Sequence, residues 1–379
     1  MPETRFSPML HRFAIFVAIC ALALIAIGGL VTSHGVGMAV PDWPNSYGYN
    51  MFLFPPSRWV GGIFYEHTHR LLASGVGLLT TMLAVWLWIA TPGKTLRWLG
   101  AGAFVAVVLQ GVLGGLRVVL DAHVFAGTKL GVVFGIFHGC LGQAFFVLLC
   151  AIALMTSRWW MERFGVPPSG GSPGRVNAEL QTSARPLSAL LLFTTGLIFL
   201  QLILGATMRH QHAGLAISDF PRAHGQWWPD LSAEAIQRYN AARNEVVASE
   251  PITAMQVVLQ MAHRLVAATI LVLVATCCWR IRRAPATEKV LRQFSFAWLT
   301  LVLAQAGLGV WTIWSNKAAD VATLHVIGGA LSLTVGALIC IIAFRCNFRC
   351  CGDGQNLAST ALPDGPERPA SGNQTQSDF

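Results

Sequence analysis

Four histidines, His69, His138, His263 and His325, lie within long apolar stretches of the chain. Ionisable groups in such stretches are costly and usually functional. Two imidazoles facing each other across a helical bundle are a natural axial pair for haem iron, and four make two such pairs. Zinc fits less well, because no helical HxxxH or HExxH spacing is present. His69 and His263 are each followed by an arginine, Arg70 and Arg264, whose side chains could reach haem propionates at the outer boundary of a membrane. Glu66 stands three residues before His69, on the same helix face. The residue in that place before His263 is Gln260, which cannot titrate. A carboxylate near iron could bind water, move protons or stabilise a substrate cation. Glu66 is therefore the candidate catalytic residue, and the asymmetry predicts chemistry in one half and an electron-transferring cofactor in the other. The plainer alternative for Glu66 is an ion pair with Arg70 at i,i+4.

These residues recur in order. The segment Gly28–Pro44 aligns with Gly205–Pro221 without a gap, matching Gly37, Ala39, Asp42 and Pro44 to Gly214, Ala216, Asp219 and Pro221. Glu66-x-x-His69-Arg70-Leu then matches Gln260-x-x-His263-Arg264-Leu. Gln110-Gly-Val-Leu-Gly matches Gln305-Ala-Gly-Leu-Gly, and His138 matches His325. A general bias toward Gly and Leu would not place a histidine in every even-numbered apolar stretch. The pattern predicts a duplication whose halves share one orientation.

The elements that must position the histidines follow from hydropathy. Hydrophobic residues make up 54% of the 379 residues and charged residues 11%, against about 25% charged in soluble domains. Eight apolar stretches, at about 13–33, 61–90, 97–120, 127–155, 186–208, 254–281, 292–315 and 320–344, are each near the ~20 residues that span a bilayer. The first is read as a membrane helix rather than a signal peptide. The expected fold is an all-α integral membrane protein, with eight transmembrane helices forming two pseudo-symmetric four-helix bundles. The expected domains are residues 1–164, a Pro/Gly/Ser-rich cytoplasmic linker at 165–185, residues 186–345, and a disordered cytoplasmic tail at 346–379. The net charge of +9 does not indicate nucleic acid, because Lys and Arg cluster in alternate short links. The positive-inside rule then places both termini in the cytoplasm and the long links 34–60 and 209–253 outside. The chain start, lacking an Arg- and Ser-rich transit segment, favours a bacterial inner membrane.

Other polar residues have plainer expectations. Asp42 and Asp219, each before an aromatic residue and a proline, suit turn or link anchoring. His67 breaks the repeat, since Met261 aligns with it, and is expected as a polar outer-surface residue. His34, His210, His212 and His224 are expected at or beyond the outer boundary, as interface residues or propionate contacts. Gly135, Gly139, Gly142, Gly328 and Gly329, near His138 and His325, are expected to let a flat macrocycle approach the backbone. Residues 230–246 have a helical apolar pattern, and Trp227 and Trp228 suit a membrane–water boundary. The nine cysteines are expected as free thiols.

Glu66-x-x-His69-Arg70, His263-Arg264, His138-Gly139, His325 and the repeated Gly-x-Ala-x-x-Asp-aromatic-Pro together resemble the haem A synthase family over nearly the whole chain to about residue 344. The resemblance implies oxidation of a ring methyl of haem O to a formyl group through hydroxylation. It implies that His69 and His138 flank the substrate haem, that His263 and His325 ligate a haem b cofactor, and that Glu66 is required for activity. It also implies a haem O synthase as supplier, an electron donor that is ferredoxin-like or a quinol, cytochrome oxidase assembly factors as partners, and association with further copies of the chain. Link 34–60 lacks the cysteine pair of some bacterial members and is closer to the cysteine-free branch that includes mitochondrial ones. A dihaem membrane cytochrome acting only in electron transfer would use the same histidines but give Glu66 no task.

Overall fold

The computed structural model describes residues 6–91, 93–164, 178–243, 251–284 and 289–358. Among these, eight helices are long and apolar enough to cross a membrane, and the chain is an integral membrane protein. The first half contains α1 (Pro8–Ser33), α2 (Gly62–Ala90), α3 (Lys94–Val119) and α4 (Leu130–Met155). A short α5 (Arg158–Phe164) follows, then α6 (Ala178–His210) and a small α7 (Ala233–Ala241). The second half closes with α8 (Ala254–Arg283), α9 (Lys289–Trp314) and α10 (Ala319–Ala358). Local signals set the helix starts. Ser7 caps α1 ahead of Pro8, and Thr253 and Gln256 form a reciprocal capping box at α8.

In each half the four long helices pack as a ring, α1-α2-α3-α4 and α6-α8-α9-α10. The halves meet through α1, α4, α6 and α10. Each apolar core sits toward the end of its bundle away from the long links. The first gathers Leu10, Val17, Leu83, Leu87, Phe145, Leu149 and Ile152. The second gathers Leu191, Val274, Ile281, Trp298, Ile339 and Ile342. The histidines lie on the same helices at the opposite end, beneath the long links, where neither core extends.

The expected stretches match the eight spans closely. Two boundaries are corrected. Helix α6 begins at Ala178, so residues 178–185 are helical rather than linker, while 165–177 lie outside the described residues. Helix α10 continues to Ala358 through the first part of the expected disordered tail, while 359–379 lie outside the described residues. Propagating an existing helix adds one hydrogen bond per residue without a new nucleus, so polar composition alone does not end it. A two-residue hairpin, Val124–Phe125 with Thr128–Lys129, joins α3 to α4.

The two long links share one conformation. Asp42 accepts from the Tyr47 and Gly48 backbone N–H groups at 2.7 and 2.8 Å. Asp219 accepts from those of His224 and Gly225 at the same distances. The Tyr47 hydroxyl donates to the Ala39 carbonyl, and His224 Nε2 bonds the matching Ala216 carbonyl at 2.9 Å. Burial tends to raise the Asp42 carboxyl, but the Gly48 and Tyr47 N–H groups and the Arg70 charge outweigh it and hold the carboxyl below its ordinary value. The anchoring role expected of both aspartates is thus seen. In the second link α7 supplies Tyr239, which stacks on His224 with ring centres 3.5 Å apart. Its Asn240 clasps the backbone of Ile252 through two hydrogen bonds. Trp227 and Trp228 are exposed, as a boundary position requires.

Burial against Tyr239 lowers the His224 imidazole below 6.5, assisted by Arg264 and opposed by the Ala216 carbonyl and Asp219. A depressed folded value means that this contribution is present above the unfolded value and is lost as pH falls through the folded one. The protection of amides over residues 213–243, measured against the intrinsic exchange rate at each pH, should therefore fall as pH is lowered from about 7.5 to about 5. His224→Tyr, which copies Tyr47, should suppress that change. Equal acid sensitivity in parent and variant would count against His224 as its source.

Candidate functional site

Residue 66 and its counterpart 260 are both buried, at 4% and 3% exposure. Each accepts from a link backbone N–H: Val40 N to Glu66 Oε2 at 2.9 Å, and Ile217 N to Gln260 Oε1 at 2.6 Å. The arginine four residues on completes the anchor. Arg70 donates to the carbonyls of Val40, Asp42 and Asn45 and to Glu66 Oε1 at 2.8 Å. Arg264 donates to the carbonyls of Asp219 and Arg222 and lies over the Phe220 ring. The Glu66–Arg70 ion pair considered from sequence is therefore present, and both arginines hold link backbone.

Beneath these anchors the imidazoles pair across the bundle. The rings of His69 on α2 and His138 on α4 face each other with centres 6.5 Å apart. Two imidazoles on opposite faces of one metal, each about 2 Å away through a ring nitrogen, stand with centres a little over ~6 Å apart. His138 Nδ1 is turned to the Gln110 carbonyl at 3.1 Å, leaving Nε2 for a ligand; such a carbonyl partner is usual for a metal-bound histidine. In the second half, His263 and His325 lie within electrostatic reach of each other. Gln305 Nε2 donates to the His325 carbonyl, as Gln110 Nε2 does to that of His138.

Each of the four imidazoles rests on a glycine of the neighbouring helix. A Cβ added at Gly28 would come within 2.9 Å of His69, at Gly114 within 3.3 Å of His138, at Gly205 within 3.3 Å of His263, and at Gly309 within 3.1 Å of His325. Nδ1 of His69, His263 and His325 is buried without a hydrogen bond. The donor set and the spacing of the first pair fit haem.

The glycines expected to make room for a macrocycle behave differently. Gly135 faces His210, Gly142 faces Gln110, and Gly328 and Gly329 receive Gln305; only Gly139 has open space. Those places take polar side chains, and the glycines that set the ring positions are Gly28, Gly114, Gly205 and Gly309. Sequence reading aligned these four across the repeat but gave them no role. His67 is also corrected. It is fully buried rather than on the surface, boxed by Phe54 and Trp59 and bonded to Ser46 at 3.2 Å. His34 stacks on Tyr65. His210 lies under the link near His138 and Arg117. Arg117 and Arg209 were missed. Both occupy places where the other half has threonine, Thr312 and Thr32, and a break in the repeat was the available signal.

A duplicated bundle that brings two histidines together in each half is a polytopic membrane protein with two candidate haem sites. The chain belongs to the cytochrome oxidase assembly protein family, whose profile matches residues 11–337. It is 27% identical over 335 residues to the heme A synthase of Shouchella clausii, covering 87% of this chain and 95% of that relative. It is 29% identical to that of Symbiobacterium thermophilum, covering 78% and 83%, and 24% identical to that of Shewanella oneidensis, covering 82% and 90%.

Because Gly28 sets the position of His69, Gly28→Val should displace that ring and remove about half of the bound haem while far-UV circular dichroism stays unchanged. Gly205→Val should do the same through His263. Full haem content in both variants would show that these contacts do not position the rings.

Proposed function

We propose that this chain is a haem A synthase that oxidises the ring methyl of haem O to a formyl group. Its family and the names of its relatives support the activity. The division of labour rests on one observation: the two halves carry the same anchored side chain, ionisable at Glu66 and not at Gln260. In this reading His69 and His138 hold haem O, and His263 and His325 hold haem b, which supplies one-electron transfer when bound.

Glu66 lies one helical turn from His69, so its carboxylate borders the substrate. Its oxygens take the Val40 N–H and Arg70, and a carboxylate at this place could accept a proton from the reacting group. The links anchored by Asp42 and Arg70 cover the outer end of the site and limit water there. The bacterial relatives support a bacterial inner membrane, and the basic links support cytoplasmic termini. A haem O synthase would supply substrate, a ferredoxin-like protein or quinol would supply electrons, and cytochrome oxidase assembly factors would receive product. Association of several copies of the chain also belongs to this reading.

The test co-expresses the chain with a haem O synthase and identifies the haems extracted from purified protein. Parent protein should yield haem A. Glu66→Gln should lower it by about a hundredfold or more while haem b per chain stays unchanged, because Gln260 shows that an amide satisfies the same link N–H. His69→Ala should lose haem O and haem A together. Haem b alone, in both halves and indifferent to Glu66→Gln, would make the protein a dihaem electron carrier instead.

A further inference from the structure

Arg70 is taken up by link carbonyls and Glu66, so a different cation is available to a ligand of the first histidine pair. Arg117 stands three residues beyond Gly114, the glycine against which His138 packs. That spacing puts it on the same face of α3, about 4.5 Å nearer the outer boundary. Its guanidinium lies under Gly37 of the first link. Its charge faces Glu66 and Asp121 and both imidazoles of the pair, yet among the described residues it has no hydrogen-bond partner. Arg209 joins it from across the boundary between the halves. Through one nitrogen Arg209 donates to the Gly29 carbonyl and to Ser33 Oγ, beside the glycine that backs His69.

The charges do not balance. Glu66 is already bound by Arg70 and Val40 N–H, which leaves Asp121 against two guanidinium groups. Excess positive charge at the outer end of membrane helices is costly unless an anion completes it. Among the described residues the second half has no matching pair of arginines. Thr312 and Thr32 stand in the matching places, and at Gly214, the counterpart of Gly37, the nearest side chain is that of a lysine, Lys317, in place of a guanidinium.

We propose that Arg117 and Arg209 bind the propionate carboxylates of the porphyrin held between His69 and His138, and that this cation pair directs the substrate porphyrin to the first half. The proposal rests on the reading that this half holds haem O. Two imidazoles alone would leave a porphyrin held by its iron free to rotate in its plane. Two guanidinium groups at the outer edge fix its propionates outward, and so fix which ring substituent lies beside Glu66.

The test has two readouts. Haem O plus haem A, and separately haem b, are quantified per chain in parent, Arg117→Gln and Arg117→Lys proteins purified after co-expression with a haem O synthase. The same proteins are then titrated with haemin and with haemin dimethyl ester, whose carboxylates are neutralised. Parent protein should bind the acid about tenfold or more tightly than the ester. Arg117→Gln should lose that preference and most first-half haem while retaining haem b, and Arg117→Lys should recover much of both. Equal binding of acid and ester by the parent would overturn the proposal, as would an unaltered preference in Arg117→Gln or a matching loss of haem b in both variants. If the parent holds haem b alone, the haem O assignment falls. An acid-over-ester preference abolished by Arg117→Gln would then still uphold the carboxylate site.

Discussion

Backbone groups that leave a membrane helix at the apolar–aqueous boundary must find partners, because neither lipid nor an open loop supplies them. Both halves meet that requirement from a single helical turn. Residue 66 or 260 takes a link N–H, and the arginine one turn further takes the link carbonyls. That anchor fixes the rotation of α2 and of α8. The histidine three residues after the anchor then faces the interior beside it. The link lies over the bundle mouth, the imidazole sits beneath the link, and a glycine on the adjacent helix limits how far the ring can move. The position of each histidine pair is a consequence of where the link is tied.

The same anchor explains how the halves can differ in charge without differing in shape. Glu and Gln have the same outline, and each presents one oxygen to the link N–H. The remaining atom sets the wiring. Gln260 Nε2 donates to the carbonyls of Ile217 and Gly214 at 3.1 and 3.2 Å. A carboxylate cannot donate, so in the first half the Val40 carbonyl, which matches that of Ile217, is taken by Arg70 instead, at 2.8 Å. The arginine that serves the carbonyl also balances the carboxylate. Charge has been exchanged between the halves by moving one hydrogen bond from an amide to a guanidinium, with no rebuilding of the link.

Much of this was legible in the sequence, for definite physical reasons. A membrane span must be apolar over its whole length, so eight helices stand out, and an ionisable residue inside one is conspicuous. The repeat supplied the pairing of His69 with His138 and of His263 with His325, together with the Glu66–Gln260 contrast. What sequence did not supply depends on which helix face meets which. The glycines flanking His138 and His325 in sequence turned out to receive glutamine and histidine side chains, whereas those that position the rings come from neighbouring helices. His67 has the same cause. A histidine two residues before His69 points to another face, and only the link folding back with Phe54 and Trp59 shows that this face is covered. The extent of α6 and α10 past their apolar stretches was hidden because hydropathy reports what a membrane accepts rather than where a helix stops.

Duplication with retained orientation also decides how the two sites lie relative to each other. The first and last helices of each half become the shared wall, and both sites keep the same depth because their helices run the same way. On that wall Gly28 of α1 touches the His69 ring, and its neighbour Gly29 packs against Thr323, two residues before His325 on α10. The Ser33 hydroxyl bonds that of Thr323 at 3.3 Å, and Arg209 of α6 ties to the same turn of α1. Substituents larger than hydrogen at residues 28 and 29 would separate α1 from both neighbours. The small residues at this turn therefore serve two ends at once. They give the imidazole of one site its seat, and they bring the helix carrying a histidine of the other site within van der Waals contact.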